Sequence, residues 1–200
     1  MKFFVVESDW EELAEEAYSN GRRKSMLPFL EFIKTINPSF EFAFKTANTE
    51  QELRYCLKKF FDMKQLEEKY ILVFSGHGKQ GTFIIGTGEE EKELTLEKLS
   101  EICASIDKNI FKNTVVHFDS CSVFRASVKK LNDFKDKTNA ETLMGFSKKV
   151  EFVDSCTLEL VLFEDLLTSN KDIFTTLQRF YDNNEELCEK NQFNWMKDNK

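Results

Sequence analysis

Short apolar runs alternate along the chain with longer stretches that carry apolar residues on one helical face. A run of four to eight apolar residues bounded by polar ones is typical of a buried strand. An alternation of phenylalanine with other residues, as in Phe40–Phe44, predicts a strand with one buried face. On these grounds the predicted core strands and one hairpin arm are Lys2–Glu7, Phe40–Phe44, Tyr70–Phe74, Thr82–Ile85, Thr114–Phe118 and Leu143–Phe146.

The stretches between these runs show the spacing and the end signals of helices. Thr49, followed three residues later by Glu52, forms a capping box and predicts a helix that runs to about Met63. The segment Asn132–Asn139 is rich in charge, and we expect it to be a solvated loop. The other predicted helices are Trp10–Tyr18, Met26–Ile36, Leu96–Ile106, Val123–Leu131, Ser155–Thr168 and Asp172–Cys188.

Strands that alternate with helices predict an α/β fold with a mostly parallel central sheet and helices on both faces. Residues 1–188 are expected to form one domain, because neither a Ser/Pro-rich linker nor an internal repeat divides them. Residues 189–200 are expected to be a frayed tail. In such sheets ligands bind beyond the carboxyl ends of the strands, so the residues that follow each strand are the candidates for a site.

Composition and charge narrow the class of protein. Among 200 residues, 35 Asp and Glu outnumber 28 Lys and Arg, and the formal charge of −7 argues against direct contact with nucleic acid. No apolar run approaches the roughly 20 residues that cross a bilayer, and no signal-peptide pattern opens the chain. We therefore expect a cytoplasmic protein with five free cysteines and no membrane partner.

Two predicted strands are followed by residues that suit nucleophilic catalysis. The segment Ser75–Gly78 (SGHG) follows the strand Tyr70–Phe74, and the segment Asp119–Cys121 (DSC) follows the strand Thr114–Phe118. A neighbouring imidazole increases the reactive fraction of a thiol. Flanking glycines let a substrate carbonyl approach the backbone amides, which can then stabilise an oxyanion.

His77 is the candidate base for Cys121. The other histidine, His117, lies four residues before Cys121 on the same predicted strand, which places it about 13 Å away. We interpret His117 as a buried core histidine. Cys121 also precedes the predicted helix Val123–Leu131, whose N-terminus would stabilise a thiolate.

Other interpretations of the same residues stay open. Cys121 could be an inert core thiol, since free cysteine is among the most buried residue types. Cys156 is a rival nucleophile, because Asp154–Cys156 repeats the DSC triplet, but it precedes an apolar helix and is expected to pack. The letters GHGKQG at Gly76–Gly81 match a dinucleotide-binding fingerprint, but a β-type run follows where that fingerprint needs a helix, so nucleotide binding is not predicted.

Taken together, SGHG at one strand end and DSC at the next resemble the caspase-like cysteine peptidases, a group that includes metacaspases and the CHAT peptidases related to caspases and separase. The resemblance covers roughly Lys2 to Leu167. It implies a caspase-like three-layer fold and a cysteine endopeptidase, with His77 as the base and Cys121 as the nucleophile. The amides of Gly78 and Cys121 would hold the oxyanion, and this scheme needs no metal or organic cofactor.

Two carboxylates are candidates for substrate binding by the same resemblance. The family's residue two before the nucleophile lines the S1 pocket, and here it is Asp119, which implies cleavage after Lys or Arg. Asp154, after the fifth strand, is the second candidate, while Asp119 could equally cap a helix. Relatives are often cut by themselves in a lysine-rich loop, which here holds Lys129, Lys130, Lys135 and Lys137.

The sequence also departs from the family's best-defined subgroups. Ser122-Val123 follows DSC where metacaspases have His-Ser-Gly, and no QAC-x-G of caspases occurs, so aspartate specificity is not implied. The expected partner is a protein or peptide substrate. An activating or sensor protein is a candidate partner, because small stand-alone bacterial relatives often act in signalling or antiviral defence. The alternative function is a non-catalytic interaction module of the same fold, and a receiver-like domain has less support because its acidic metal pocket is missing.

Overall fold

The computed structural model describes residues 1–9, 25–65 and 67–196. The strands within them are β1 (Lys2–Glu7), β2 (Phe42–Thr46), β3 (Tyr70–Ser75), β4 (Gly78–Lys79), β5 (Thr82–Ile85), β6 (Lys92–Thr95), β7 (Thr114–Asp119), β8 (Thr142–Phe146) and β9 (Phe193–Trp195). A central sheet has the order β2-β1-β3-β7-β8-β9, and a small antiparallel sheet has the order β4-β5-β6. All neighbours in the central sheet are parallel except β8 and β9.

Helices cover both faces of the central sheet. They are α1 (Met26–Ile36), α2 (Glu50–Met63), α3 (Leu96–Ile106), α4 (Val128–Thr138), α5 (Phe152–Thr168), α6 (Ile173–Asn183) and α7 (Glu185–Asn191). The apolar residues of α2, α3 and α4 pack on one face, and those of α1, α5, α6 and α7 pack on the other. The predicted α/β fold, with its mostly parallel sheet between helical layers, is therefore confirmed. Among the described helices, none is long and apolar enough to cross a bilayer.

Helix ends that depend on local signals agree with the sequence. Thr49 Oγ1 accepts a hydrogen bond from the backbone N of Glu52 at 3.2 Å, and Glu52 Oε2 accepts one from the backbone N of Thr49 at 3.0 Å. This reciprocal cap starts α2 where the capping box predicts it. At the amino end of α1, the buried Glu7 carboxylate accepts a hydrogen bond from the backbone N of Met26 at 2.6 Å, which suits the positive end of a helix.

The segment after β7 differs from the prediction. The predicted helix Val123–Leu131 is wrong: only a short 3₁₀ turn forms at Val123–Arg125, and the helix begins at Val128. Ser127 Oγ caps that helix by accepting from the backbone N of Lys130 at 3.4 Å. The loop predicted at residues 132–139 is also wrong, because α4 continues to Thr138.

The carboxyl-terminal part of the chain is more ordered than expected. The predicted helix Asp172–Cys188 divides into α6 and α7 at Asn184. The prediction of a frayed tail is wrong for residues 189–196, because α7 runs to Asn191 and β9 adds an antiparallel edge strand to β8. Residues 197–200 and the predicted helix Trp10–Tyr18 lie outside the described residues.

Side chains alternate along β7, so its two faces differ in chemistry. Val116 and Phe118 belong to the core beneath α2, α3 and α4, whereas Val115 belongs to the core beneath α5. Alternation puts His117 and Asp119 on the same side as Val115. Both are buried, and they bring polar groups into an otherwise apolar layer.

Candidate active site

The two segments singled out in the sequence lie side by side at the carboxyl edge of the central sheet. The register of β3 and β7 pairs Ser75 with Asp119, an offset of 119 − 75 = 44 residues. The offset between His77 and Cys121 is also 44, so both lie two residues beyond a paired position. The pairing continues past the strand ends, because the backbone N of Gly76 donates to the Asp119 carbonyl at 3.2 Å.

Gly78 lies directly against the segment that holds Cys121. A Cβ atom at this position would lie 2.4 Å from the backbone oxygen of Cys121 and 3.0 Å from the Cβ of Ser120. Real Cβ atoms do not approach a carbonyl oxygen so closely, so only glycine fits here. The backbone N of Gly81 then donates to the Ser122 carbonyl at 2.9 Å, which keeps the segments together beyond the site.

Cys121 lies half-buried on a tight turn. The next residue, Ser122, has φ 58° and ψ 13°, a left-handed conformation that is uncommon for residues other than glycine. Its backbone N donates to the Lys148 carbonyl at 3.0 Å, which ties the turn to the loop after β8. The expected helix N-terminus next to Cys121 is absent, because the only helical structure there is the 3₁₀ turn Val123–Arg125.

The Cys121 sulfur is a protonated thiol at rest. Sγ donates a hydrogen bond to the Val150 carbonyl at 3.7 Å. Burial raises the pKa of this thiol, and the nearby Asp119 carboxylate raises it further. A nucleophilic Cys121 therefore needs a base to remove its proton during attack, because burial outweighs the charge of Lys149 and the Val150 backbone contact, which both favour the thiolate.

Asp119 faces the interior rather than an open cleft. Its side chain is 2% exposed, and Oδ2 accepts a hydrogen bond from Ser75 Oγ at 2.9 Å. Burial raises the pKa of Asp119 well above its ordinary value, and the nearby Glu159 carboxyl contributes to the increase. A substrate side chain could reach this carboxyl only after a neighbouring group moves.

His117 also belongs to this buried region, as expected of a core histidine. Its Nε2 lies 2.6 Å from Oε1 of Glu159, and both side chains are fully buried. Burial lowers the pKa of His117 to about 4 and raises the pKa of Glu159 to about 8, so the neutral forms predominate at neutral pH. His117 is therefore occupied by Glu159 in the sheet interior.

Asp154 and Cys156 lie in the first turns of α5, and neither directly follows a strand. Lys190 Nζ forms an ion pair with Asp154 Oδ1 at 2.9 Å at an exposed position, so the carboxylate already has a cationic partner. Cys156 is half-buried, and burial raises the pKa of its thiol. These contacts favour a structural role for both side chains.

The four lysines expected in a self-cleavage loop lie in a helix instead. Lys129, Lys130, Lys135 and Lys137 all belong to α4. Proteases bind substrate backbones in an extended conformation, which a hydrogen-bonded helix does not offer. The interpretation of this segment as a loop is wrong.

Sequence reasoning missed Ser75 as a partner of Asp119 and missed Glu159 entirely. A signal for Glu159 existed in the helical periodicity of α5. Ser155, Glu159, Leu162 and Leu166 follow one another at intervals of four, three and four residues, and all of them are buried. A single acidic residue on a buried helical stripe predicts a polar partner inside the protein.

The wider structure adds no metal centre to this site. Within residues 1–9, 25–65 and 67–196, no group of three or more His, Cys, Asp or Glu side chains is placed to hold a metal ion. All five cysteines are free thiols.

The chain has no match among curated proteins. A family model matches residues 7–196, and the chain therefore belongs to DUF6642, a family of unknown function.

Proposed function

We propose that the chain is a cysteine endopeptidase in which His77 is the general base and Cys121 is the nucleophile. The observation that carries this proposal is the hydrogen-bonded alignment of the two segments that hold them. The bond from Gly76 N to the Asp119 carbonyl and the close contact of Gly78 with Cys121 bring both residues to one edge of the sheet. Neighbouring parallel strands lie about 4.8 Å apart, which is compatible with proton transfer between their side chains.

The chemistry follows from the resting thiol. His77 accepts the Sγ proton as the sulfur of Cys121 attacks the scissile carbonyl, and the carbonyl becomes a tetrahedral oxyanion. The backbone amides of Gly78 and Cys121 are the candidates to stabilise that oxyanion. His77 then gives the proton to the departing amine, which leaves a thioester on Cys121. Water, activated by the same imidazole, releases the acid product and restores the thiol.

The preferred substrate has Lys or Arg before the cleaved bond. Asp119 is the supporting residue, because it lies two positions before Cys121 and holds a carboxyl group in the protein interior. A cation that reached this carboxyl would form a charge-assisted bond in a medium of low polarity. Asp154 is less suited to this role, since Lys190 already occupies its carboxylate.

A non-catalytic interaction module is the second candidate function. The contact of Cys121 Sγ with the Val150 carbonyl at 3.7 Å favours it, because this contact directs the thiol at the backbone. The same contact suits a peptidase at rest that an activating protein switches on. The two functions differ in whether His77 increases the reactivity of Cys121.

Alkylation kinetics distinguish these functions without a known substrate. The purified chain is treated with iodoacetamide near pH 7, and adducts are located and timed by intact and peptide mass spectrometry. We expect Cys121 to react at least about tenfold faster than in His77→Ala, because a positioned base contributes roughly 10²-fold or more to such steps. Cys156→Ala is the matched control and should leave the adduct at Cys121 unchanged.

The outcome that rejects the peptidase is an equal rate for Cys121 in the wild type and in His77→Ala. Faster reaction at Cys156 would also reject the assignment of the nucleophile. A panel of fluorogenic peptides that differ only at P1 then tests specificity. Preferred cleavage after Asp or an aliphatic residue would rule out recognition by Asp119.

A further inference from the structure

A buried polar cluster, defined by Ser75, His117, Asp119 and Glu159, lies beneath the candidate active site. Ser75 Oγ donates to Asp119 Oδ2 at 2.9 Å, and His117 Nε2 lies 2.6 Å from Glu159 Oε1. The cluster thus joins β3 and β7 to α5 through side chains 44 and 42 residues apart in the sequence. Asp119 ends β7, two residues before Cys121, so the cluster adjoins the nucleophile.

Burying this cluster costs the folded protein hydration free energy. His117 and Glu159 are completely buried, and Phe146, Phe163 and Phe193 surround the imidazole with ring centroids 5.8 to 6.3 Å away. Among the described residues, Oε2 of Glu159 has no hydrogen-bond partner. Apolar side chains of similar volume are often as stable as a buried ionisable pair or more so. An ionisable cluster next to a reactive residue is therefore a candidate for function.

The charge of the cluster depends first on the protonation of its own carboxyl and imidazole groups. Two carboxyl groups and one imidazole share this apolar space, and two adjacent buried carboxyls cannot both ionise readily. Among the described residues, the thiols of Cys121, from the turn after β7, and Cys156, from α5, also face the cluster and respond to the charge of Asp119. The buried Glu7 of β1 lies on the same face, because it pairs in register with Ser75, and its carboxylate binds the amino end of α1. Lys149 and Glu151 act on Cys121 from the loop before α5 and are of opposite sign.

We infer that Glu159, held by His117, is a positioning residue that controls whether Asp119 carries a charge, and that it thereby makes the acceptance of a cationic side chain beside Cys121 dependent on pH. This inference rests on the proposed function. When Glu159 and Asp119 both keep their protons, the subsite is neutral. Loss of the Asp119 proton to solvent gives a carboxylate that attracts an ammonium or guanidinium group. The preference for a basic residue at P1 thus increases as the pH rises.

Glu159→Gln is the direct test, because its amide keeps the size of the side chain and can donate a hydrogen bond to His117 Nε2. It removes the competing acid, so Asp119 ionises at lower pH. In protein labelled with ¹³C at aspartate carboxyls, we expect the Asp119 midpoint to fall by about one pH unit or more relative to wild type. Asp119→Asn assigns the signal. Asp154→Asn, an exposed carboxylate on the same helix, is the matched control and should not move it.

A second variant predicts the opposite shift. Ser75→Ala removes the hydrogen bond that stabilises the Asp119 carboxylate, so the midpoint should rise. It leaves α5 untouched, and it keeps the test decisive if Glu159→Gln does not fold. An Asp119 midpoint that is unchanged in the folded variants overturns the inference.

The consequence for specificity is measured with two peptides that differ only in lysine or glutamine at P1. In the wild type the ratio of their kcat/KM values should increase about tenfold for each pH unit over which Asp119 ionises. In Glu159→Gln the same increase in the ratio should occur at lower pH than in the wild type. A flat ratio in the wild type overturns the inference.

The two proposals fail in different ways. If no peptide is cleaved and Cys121 is not activated by His77, the peptidase is rejected, while the Asp119 midpoint still decides whether Glu159 controls that carboxyl. If peptides are cleaved but the midpoint does not move, the peptidase stands and the inference is wrong.

Discussion

The two faces of β7 carry opposite chemistry at the same strand end. On one face, Phe118 stacks on Phe74 with ring centroids 5.5 Å apart and packs edge-on against Phe134 at 5.6 Å. On the other face, His117 and Asp119 meet Glu159 of α5 inside an aromatic layer. Both sides are fully buried, so the difference is one of chemistry and not of exposure.

The two faces of β7 have different roles. The face with Phe118 stabilises the sheet, and the face with His117 and Asp119 prepares the candidate site. Aromatic packing removes apolar surface from water and stabilises the fold directly. Buried ionisable groups lose hydration, and their mutual bonds recover only part of that loss. We therefore expect mutations on the Phe118 face to change the free energy of unfolding at all pH values. Mutations in the buried polar cluster should instead change how the free energy of unfolding depends on pH.

The largest effect is expected from Phe118→Ala. This change removes a completely buried ring from between two others and leaves a cavity, which costs about 3 to 5 kcal/mol of the free energy of unfolding. Urea denaturation measures the loss. A loss below about 1 kcal/mol would contradict the importance of this face.

Glu159→Ala is expected to cost about 2 to 3 kcal/mol, because it removes the partner of His117 and leaves a buried ring nitrogen without a hydrogen bond. Replacing both residues, as His117→Leu with Glu159→Met, should restore most of this stability. Urea denaturation of the single and double variants makes the comparison. A double variant less stable than Glu159→Ala would show that the pair stabilises the fold.

Gly78→Ala tests the close approach of the two active-site segments. Its Cβ would overlap the Cys121 carbonyl oxygen, so the segments must separate at a cost of about 1 to 3 kcal/mol. The alkylation rate of Cys121 should fall together with the stability. Gly88→Ala, at a glycine with nothing within 4 Å of its Cβ position, should leave the alkylation rate unchanged, although its positive φ also strains the backbone.

The pH dependence of stability also distinguishes the two faces of β7. Burial raises the pKa of Glu159 to about 8, so the folded chain keeps a proton that the unfolded chain releases near pH 4.5. Stability should therefore fall as the pH rises toward 8. His117 has the opposite effect between about pH 4 and 6.5, because its folded pKa is lowered and the unfolded chain binds the extra proton.

Above about pH 6.5 only the effect of the two buried carboxyls, Glu159 and Asp119, remains, and we expect wild-type stability to fall by about 2 to 4 kcal/mol up to pH 8. Glu159→Gln should reduce this slope in urea denaturation series. Phe118→Leu should keep the slope of the wild type, since it alters only the aromatic face. Equal slopes in wild type and Glu159→Gln would contradict the shifted pKa of Glu159.

The smallest effect is expected at Ser122. Its left-handed conformation favours glycine, so Ser122→Gly should stabilise the fold by about 0.5 to 1 kcal/mol after the entropy of the unfolded chain is counted. Thermal unfolding measures the change. Destabilisation would indicate that the Ser122 side chain makes a contact that matters more than backbone strain.

The parts of the fold that were predicted correctly depend on local signals. The capping box at Thr49 and the apolar run Tyr70–Phe74 contain their own information, and both elements form where expected. The helix predicted to begin at Val123 begins at Val128, because Ser127 provides its cap. Strand β9 was missed because three residues make a strand only when a neighbour such as β8 pairs with them.

The candidate site also combines features that local sequence patterns predict with a contact that they do not. The positions of His77 and Cys121 followed from strand ends in a parallel sheet, and the register of β3 with β7 brings their segments together. The contact of His117 with Glu159 spans 42 residues and depends on how α5 docks on the sheet. No local pattern specifies that docking, so the helical periodicity of α5 can mark Glu159 as a buried acid but cannot identify His117 as its partner.

The residue-by-residue pairing of β3 with β7 limits where this chain can gain or lose residues. Removing one residue from β7 before Phe118 would turn the following side chains to the opposite face, so Phe118 would face Glu159 and Asp119 would enter the apolar core beneath α2, α3 and α4. The packing on both faces of β7 would be lost together. Insertions and deletions in DUF6642 members should therefore fall in connecting loops and avoid the three residues between His117 and Cys121.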